Sequence, residues 1–78
     1  MNDYPSRAHW STALTINNDY GLYRAMQRQA EAVLRGQLEF WDAVDDFMAD
    51  LPPRTPEGEV WKRAAIEDIF KEEMQSDG

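Results

Sequence analysis

The stretch Tyr20–Leu51 reads YGLYRAMQRQAEAVLRGQLEFWDAVDDFMADL, and its periodicity decides the fold. Tyr23, Met26, Ala30, Val33, Gln37, Phe40, Val44, Phe47 and Leu51 recur in alternating steps of three and four. That spacing puts them on one helical face in an a/d register, with Gln37 as the polar member. Asn17, Asn18 and Asp19 stand before the run, and each is a good N-cap. Pro52-Pro53 ends it, because proline disfavours helical geometry in the residue before it.

Gly36 interrupts the run. No Ser, Thr, Asp or Asn follows it to cap a new helix, and the heptad phase passes through it unbroken. Both features favour a continuous or mildly kinked helix over 19–51. The alternative is a helix hairpin with Gly36 at the C′ position.

Outward from this run, Trp10-Ser-Thr-Ala-Leu-Thr-Ile16 is rich in β-formers and predicts an extended segment or short strand. On the other side, Thr55-Pro56-Glu57 predicts the start of a second helix, with Thr55 as N-cap and Pro56 at N1, running to about Met74. Trp61, Ala65, Ile66, Ile69 and Phe70 form its apolar side. The expected fold is mostly α: an N-terminal extended segment or short strand, a long amphipathic helix with a kink or a break at Gly36 as its alternatives, and an antiparallel C-terminal helix. Residues 1–78 make one small helical domain, with 1–9 and 75–78 expected to be flexible.

The sequence contains no cysteine and one histidine, His9, so disulfides, thiolate metal sites and a His-based zinc site are excluded. Ser6 and Ser11 lack the strand–turn–helix context of an activated nucleophile. Gly21, Gly36, Gly58 and Gly78 are isolated and form no phosphate-cradling loop. The expectation is a non-enzymatic protein without cofactor or metal. No apolar stretch suggests a secretory signal or a membrane span, so a cytoplasmic location is expected, and the resemblance given below implies that the host is prokaryotic.

The formal net charge is −7, unevenly placed. Residues 1–36 carry Arg7, Arg24, Arg28 and Arg35 against Asp3, Asp19 and Glu31, a balance of +1. Residues 37–78 carry four basic and twelve acidic side chains, a balance of −8. Such a field repels nucleic acid and anionic membranes and suits a basic protein surface.

Glu39, Asp42, Asp46 and Asp50 fall within about 80° of arc at 100° per residue, with Asp45 beside them. Spaced carboxylates on a rigid helix can imitate a row of phosphates, which makes Glu39, Asp42, Asp45, Asp46 and Asp50 the candidate partner-binding residues. The plainer reading is a solvated outer face, although such a face more often mixes signs. Arg24, Arg28 and Arg35 line one side of the first half of the run, where Glu31 and Arg35 form a favourable i,i+4 pair. A 19-residue second helix could cover little more than half of the long one. The uncovered a/d stripe (Tyr23, Met26, Val33, Gln37, Phe40, Val44 and Phe47) is then a candidate homodimer interface. Trp10, Trp41 and Trp61 read as core or interface anchors.

The run Trp10–Tyr23 resembles the opening of small proteins of phages and mobile elements. Size, acidity and the lack of cysteine resemble anti-CRISPR proteins. Those proteins share no common fold or motif, so no functional residue carries over. The resemblance implies a role: an acidic inhibitor, seated on the basic nucleic-acid groove of a CRISPR effector and blocking target DNA by phosphate mimicry or steric block. The alternative is a homodimeric interaction module of a phage or mobile element, without mimicry.

Overall fold

The computed structural model describes residues 6–75. Four helices follow one another: α1 (Arg7–Asn18), α2 (Tyr20–Leu34), α3 (Phe40–Ala49) and α4 (Arg63–Gln75). No strand occurs among the described residues. α1 packs on α2 and α4, and α2 packs on both α3 and α4.

The segment expected to be extended, 10–16, is helical. Ser6 caps α1 by accepting from the His9 N–H at 3.1 Å. Buried His9, Thr12, Ala13 and Ile16 then follow helical spacing. The β-formers are accommodated locally: the Thr15 hydroxyl donates to Ser11 O, and Asn18 Nδ2 donates to Leu14 O. Packing of one helical face overrides β-propensity here. Residues 7–9 therefore form the first turn of α1. Of the ends expected to be flexible, 1–5 and 76–78 lie outside the described residues, and Gln75 closes α4.

Asp19 alone joins α1 to α2. Its backbone is extended, at φ −108° and ψ 109°, and its carboxylate accepts from the Leu22 N–H at 3.0 Å. The chain turns at this one residue and α2 starts capped.

The continuous helix over 19–51 is not formed. α2 stops at Leu34, and Gly36 takes φ +78°. The Gly36 N–H donates to Val33 O at 3.0 Å and the Gln37 N–H to Ala32 O at 2.8 Å, the two bonds of a Schellman motif. The heptad phase misleads because α2 and α3 each need an apolar face at steps of three and four. A short connection can preserve that phase by chance.

The helix expected from Pro56 begins only at Arg63. Thr55 does cap with its hydroxyl, accepting from the Glu59 N–H at 3.0 Å, but its own N–H donates to Glu59 O. Gly58 turns at φ +86°, so residues 55–59 form a closed loop. That loop lies on α1 through a polar cluster in which Ser11, Thr12 and Thr55 are buried and Glu57 is exposed. Ser11 Oγ is 2.7 Å from Thr55 Oγ1 and also bonds Glu57. With one hydrogen, Ser11 donates to the carboxylate, and the Thr55 hydroxyl supplies the hydrogen of the other bond. The Lys62 N–H donates to the Thr12 hydroxyl at 2.8 Å.

The core lies where the helices meet. Ile16, Met26, Val44, Ile66 and Phe70 are fully buried. Phe70 receives Phe40 and Phe47 edge-on, at centroid distances of 6.2 and 5.7 Å. Most of the a/d stripe is consumed by this core: Met26, Val44 and Phe47 are buried, and Tyr23, Val33 and Phe40 pack against them. Gln37 is exposed in the turn. With the long helix broken, the length mismatch that suggested an uncovered stripe disappears.

Candidate partner-binding face

α3 is short, and its inner side is fixed by Ala43, Val44 and Phe47 in the core. Its outer side is acidic. Glu39 is the N-cap residue and makes no side-chain cap bond; Asp42 lies in the first turn; Asp50 is the C-cap. Glu39, Asp42, Asp45, Asp46 and Asp50 are all exposed. Successive steps of four residues advance about 6 Å along the axis, so Asp42, Asp46 and Asp50 form an ordered row.

Asp45 differs from the others. It receives Arg63 Nη1 of α4, while Arg63 Nε donates to Glu67 at 2.9 Å. Arg63 Nη2 also reaches Trp41 O at 3.5 Å. Asp45, and then Glu67, hold the Arg63 guanidinium above its usual pKa. Asp45 thus ties α3 to α4 and is only partly available to a partner. Glu39, Asp42, Asp46 and Asp50 form no ion pair among the described residues.

The dipole favours Glu39 and Asp42 at the start of α3, and the row becomes unfavourable towards its end. Asp42–Asp46 and Asp46–Asp50 are like-charge i,i+4 pairs, each costing roughly 0.2–0.5 kcal/mol. Asp50 sits at the negative end of the helix dipole, and no basic residue occupies the last turn. Folding alone does not call for this arrangement.

Trp41 stands on the same outer side, 56% exposed, with its ring edge-on to Phe40 at 5.0 Å. The other two tryptophans are occupied. Trp61 Nε1 donates to Pro52 O at 2.7 Å, and Trp10 lies under the Arg7 guanidinium.

No protein-family model, curated protein or solved structure matches the chain. Function is therefore argued from the chemistry of its surfaces.

Ser6 caps α1, and Ser11 is buried in the polar cluster with Thr55 and Glu57. His9 is buried and lines a small cavity with Asp68, Ile69 and Glu72 of α4. No group of three or more His, Asp or Glu among the described residues could hold a metal ion. Among the described residues no helix is long and apolar enough to cross a membrane.

On α2, Arg24, Arg28 and Arg35 are exposed. Arg24 stacks over the Tyr20 ring and donates to its hydroxyl at 2.8 Å, and Arg35 reaches Glu31 at 4.0 Å. Between α2 and α4, Tyr23 OH and Gln27 Nε2 donate to Glu73 at 2.9 and 3.3 Å. Sequence reasoning missed Arg63 as the α3–α4 tie. Its i,i+4 relation to Glu67 was visible, but its link to Asp45 depends on the tertiary fold.

Proposed function

We propose that this chain is a small non-enzymatic protein that binds a basic, nucleic-acid-binding protein surface through the outer face of α3. One observation carries the reading: Glu39, Asp42, Asp46 and Asp50 are exposed, ordered and without ion-pair partners among the described residues, and Asp50 stands where it costs α3 stability. A basic surface offers the counter-charges this row lacks, and complementary fields speed association. The resemblance in size and acidity to anti-CRISPR proteins makes a CRISPR effector the first partner to test. Blocking its target-DNA groove is the corresponding action.

The test is a variant carrying Glu39→Gln, Asp42→Asn, Asp46→Asn and Asp50→Asn, with Asp45 retained to keep the Arg63 tie. It is assayed for inhibition of target-DNA binding across CRISPR effector subtypes, with circular dichroism as a folding control. The expected result is a folded variant with weakened inhibition and a smaller dependence on salt. A folded variant as potent as the parent refutes the acidic mechanism. A parent that inhibits no effector removes the CRISPR partner.

A further inference from the structure

The acid face has a counterpart on the same molecule. A cleft of about 570 Å³ runs along α2 beside Glu73 of α4, lined by Tyr20, Arg24, Arg28, Glu31, Leu34 and Glu73 among others. Two features of it are open to solvent, although Arg24 also stacks on Tyr20 and donates to its hydroxyl. Tyr20 and Leu34 are 74% and 50% exposed, so its rim is apolar. Arg24 and Arg28 form no ion pair among the described residues, in a protein of net charge −7. Of the two acids that line the cleft, Glu73 accepts from Tyr23 and Gln27, and Glu31 lies 4.0 Å from Arg35.

We propose that this cleft takes the outer face of α3 from a second copy of the chain. Trp41, Asp42, Asp45 and Asp46 span about 140° of that face at 100° per residue. The chemistries are reciprocal: an exposed indole meets an exposed Tyr and Leu, and the Asp42 and Asp46 carboxylates meet the Arg24 and Arg28 guanidiniums, none of which forms an ion pair among the described residues. A guanidinium binds a carboxylate through a planar fork and also stacks on aromatic rings, so Arg24 and Arg28 can engage both parts of the face.

The contact is head-to-tail. Leu22, Ala25 and Gln29 of α2 line a groove with Asp46 and Asp50, whereas Tyr20, Tyr23, Arg24 and Gln27 line the α4 side. The cleft and the acid face thus flank α2 on different sides. A heterologous contact of this kind leads to chains or rings instead of an isologous pair. The interface is small and belongs with transient associations.

The proposal uses the face assigned above to a basic partner, so self-association competes with that binding. Charge reversal separates the two. The Arg24→Glu/Arg28→Glu variant keeps the acid face, and the Asp42→Arg/Asp46→Arg variant keeps the cleft. All four side chains are exposed, so both variants should fold. Sedimentation velocity from roughly 10 μM to about 1 mM at low salt is the measurement, a range suited to weak contacts. The parent should sediment faster as concentration rises, each variant should stay monomeric, and their equimolar mixture should associate again. Tyr20→Ser with Leu34→Ser, which leaves the charges in place, should also weaken the parent's association. A parent that stays monomeric throughout overturns the proposal. So does a mixture that fails to associate while the parent does. Failure of the basic-partner reading would appear separately, as loss of inhibition by the parent with its self-association intact.

Discussion

Gly36 holds φ +78° with nothing within 4 Å of where a Cβ would stand. A side chain there meets backbone strain and not a clash. Left-handed geometry costs an L-residue roughly 1–2 kcal/mol. Gly36→Ala should therefore lower unfolding stability by about that much with no change in the native circular dichroism spectrum. Were α2 and α3 one helix, the same change would stabilise the protein by about 1 kcal/mol. The sign of the shift in a urea midpoint separates the two. Tyr23 gives a second test at this scale. The hydrogen bond to Glu73, then the Glu73 charge, then burial push its pKa above 10. The folded pKa is raised, so the stabilisation is complete below the unfolded value and is lost as pH rises through the folded one. In an alkaline titration followed by tyrosinate absorbance, Tyr23 should ionise late. Tyr23→Phe should remove that late step and the linked fall in stability. A Tyr23→Phe titration curve that keeps the late step would contradict this.

At the scale of the element, α3 carries its charges at a cost, and Asp50 is the clearest case. Replacing it with Asn removes a negative charge from the dipole's negative end and a like-charge pair with Asp46. The expected gain is roughly 0.3–1 kcal/mol at low ionic strength, shrinking with salt, as read from thermal melts. An unchanged or lowered melting temperature would mean that Asp50 has a stabilising partner in solution. What was legible at this scale follows from local chemistry. The end of α3 before Pro52-Pro53, the cap at Asp19 and the apolar sides of α2 and α4 were all readable. α1 was not, because Thr12, Thr15 and Ile16 signal a strand and only burial against α4 shows that 9, 12, 13 and 16 share a helical face. The start of α4 was misplaced for a related reason. Thr55-Pro56 has the composition of a helix start, but the hydroxyl of Thr55 is used to close a loop over α1. The acid row was visible as a pattern. The capture of Asp45 by Arg63 required two helices to meet.

At the scale of the molecule, four short helices share one core, and Phe70 of α4 carries the aromatic contact with α3. It is fully buried and holds the rings of Phe40 on the near end of α3 and Phe47 on the far end. A chain of this size buries only about 60% of its unfolded surface, and its stability should be roughly 0.05–0.15 kcal/mol per residue. That places the whole molecule at about 4–12 kcal/mol. Truncating a buried Phe to Ala typically costs about 3–5 kcal/mol, because a cavity is added to the lost transfer energy. Phe70→Ala should therefore remove a large share of the stability and leave the protein partly or wholly unfolded at 37 °C. Phe70→Leu, which keeps most of the volume, should cost less and stay folded. The four-site neutral variant of the acid row should remain folded, because none of its side chains reaches the core. Melting the three side by side by circular dichroism tests the division of the molecule into a core that folds and an outer face free to bind. If the acid-row variant unfolds while Phe70→Ala melts like the parent, that division is wrong.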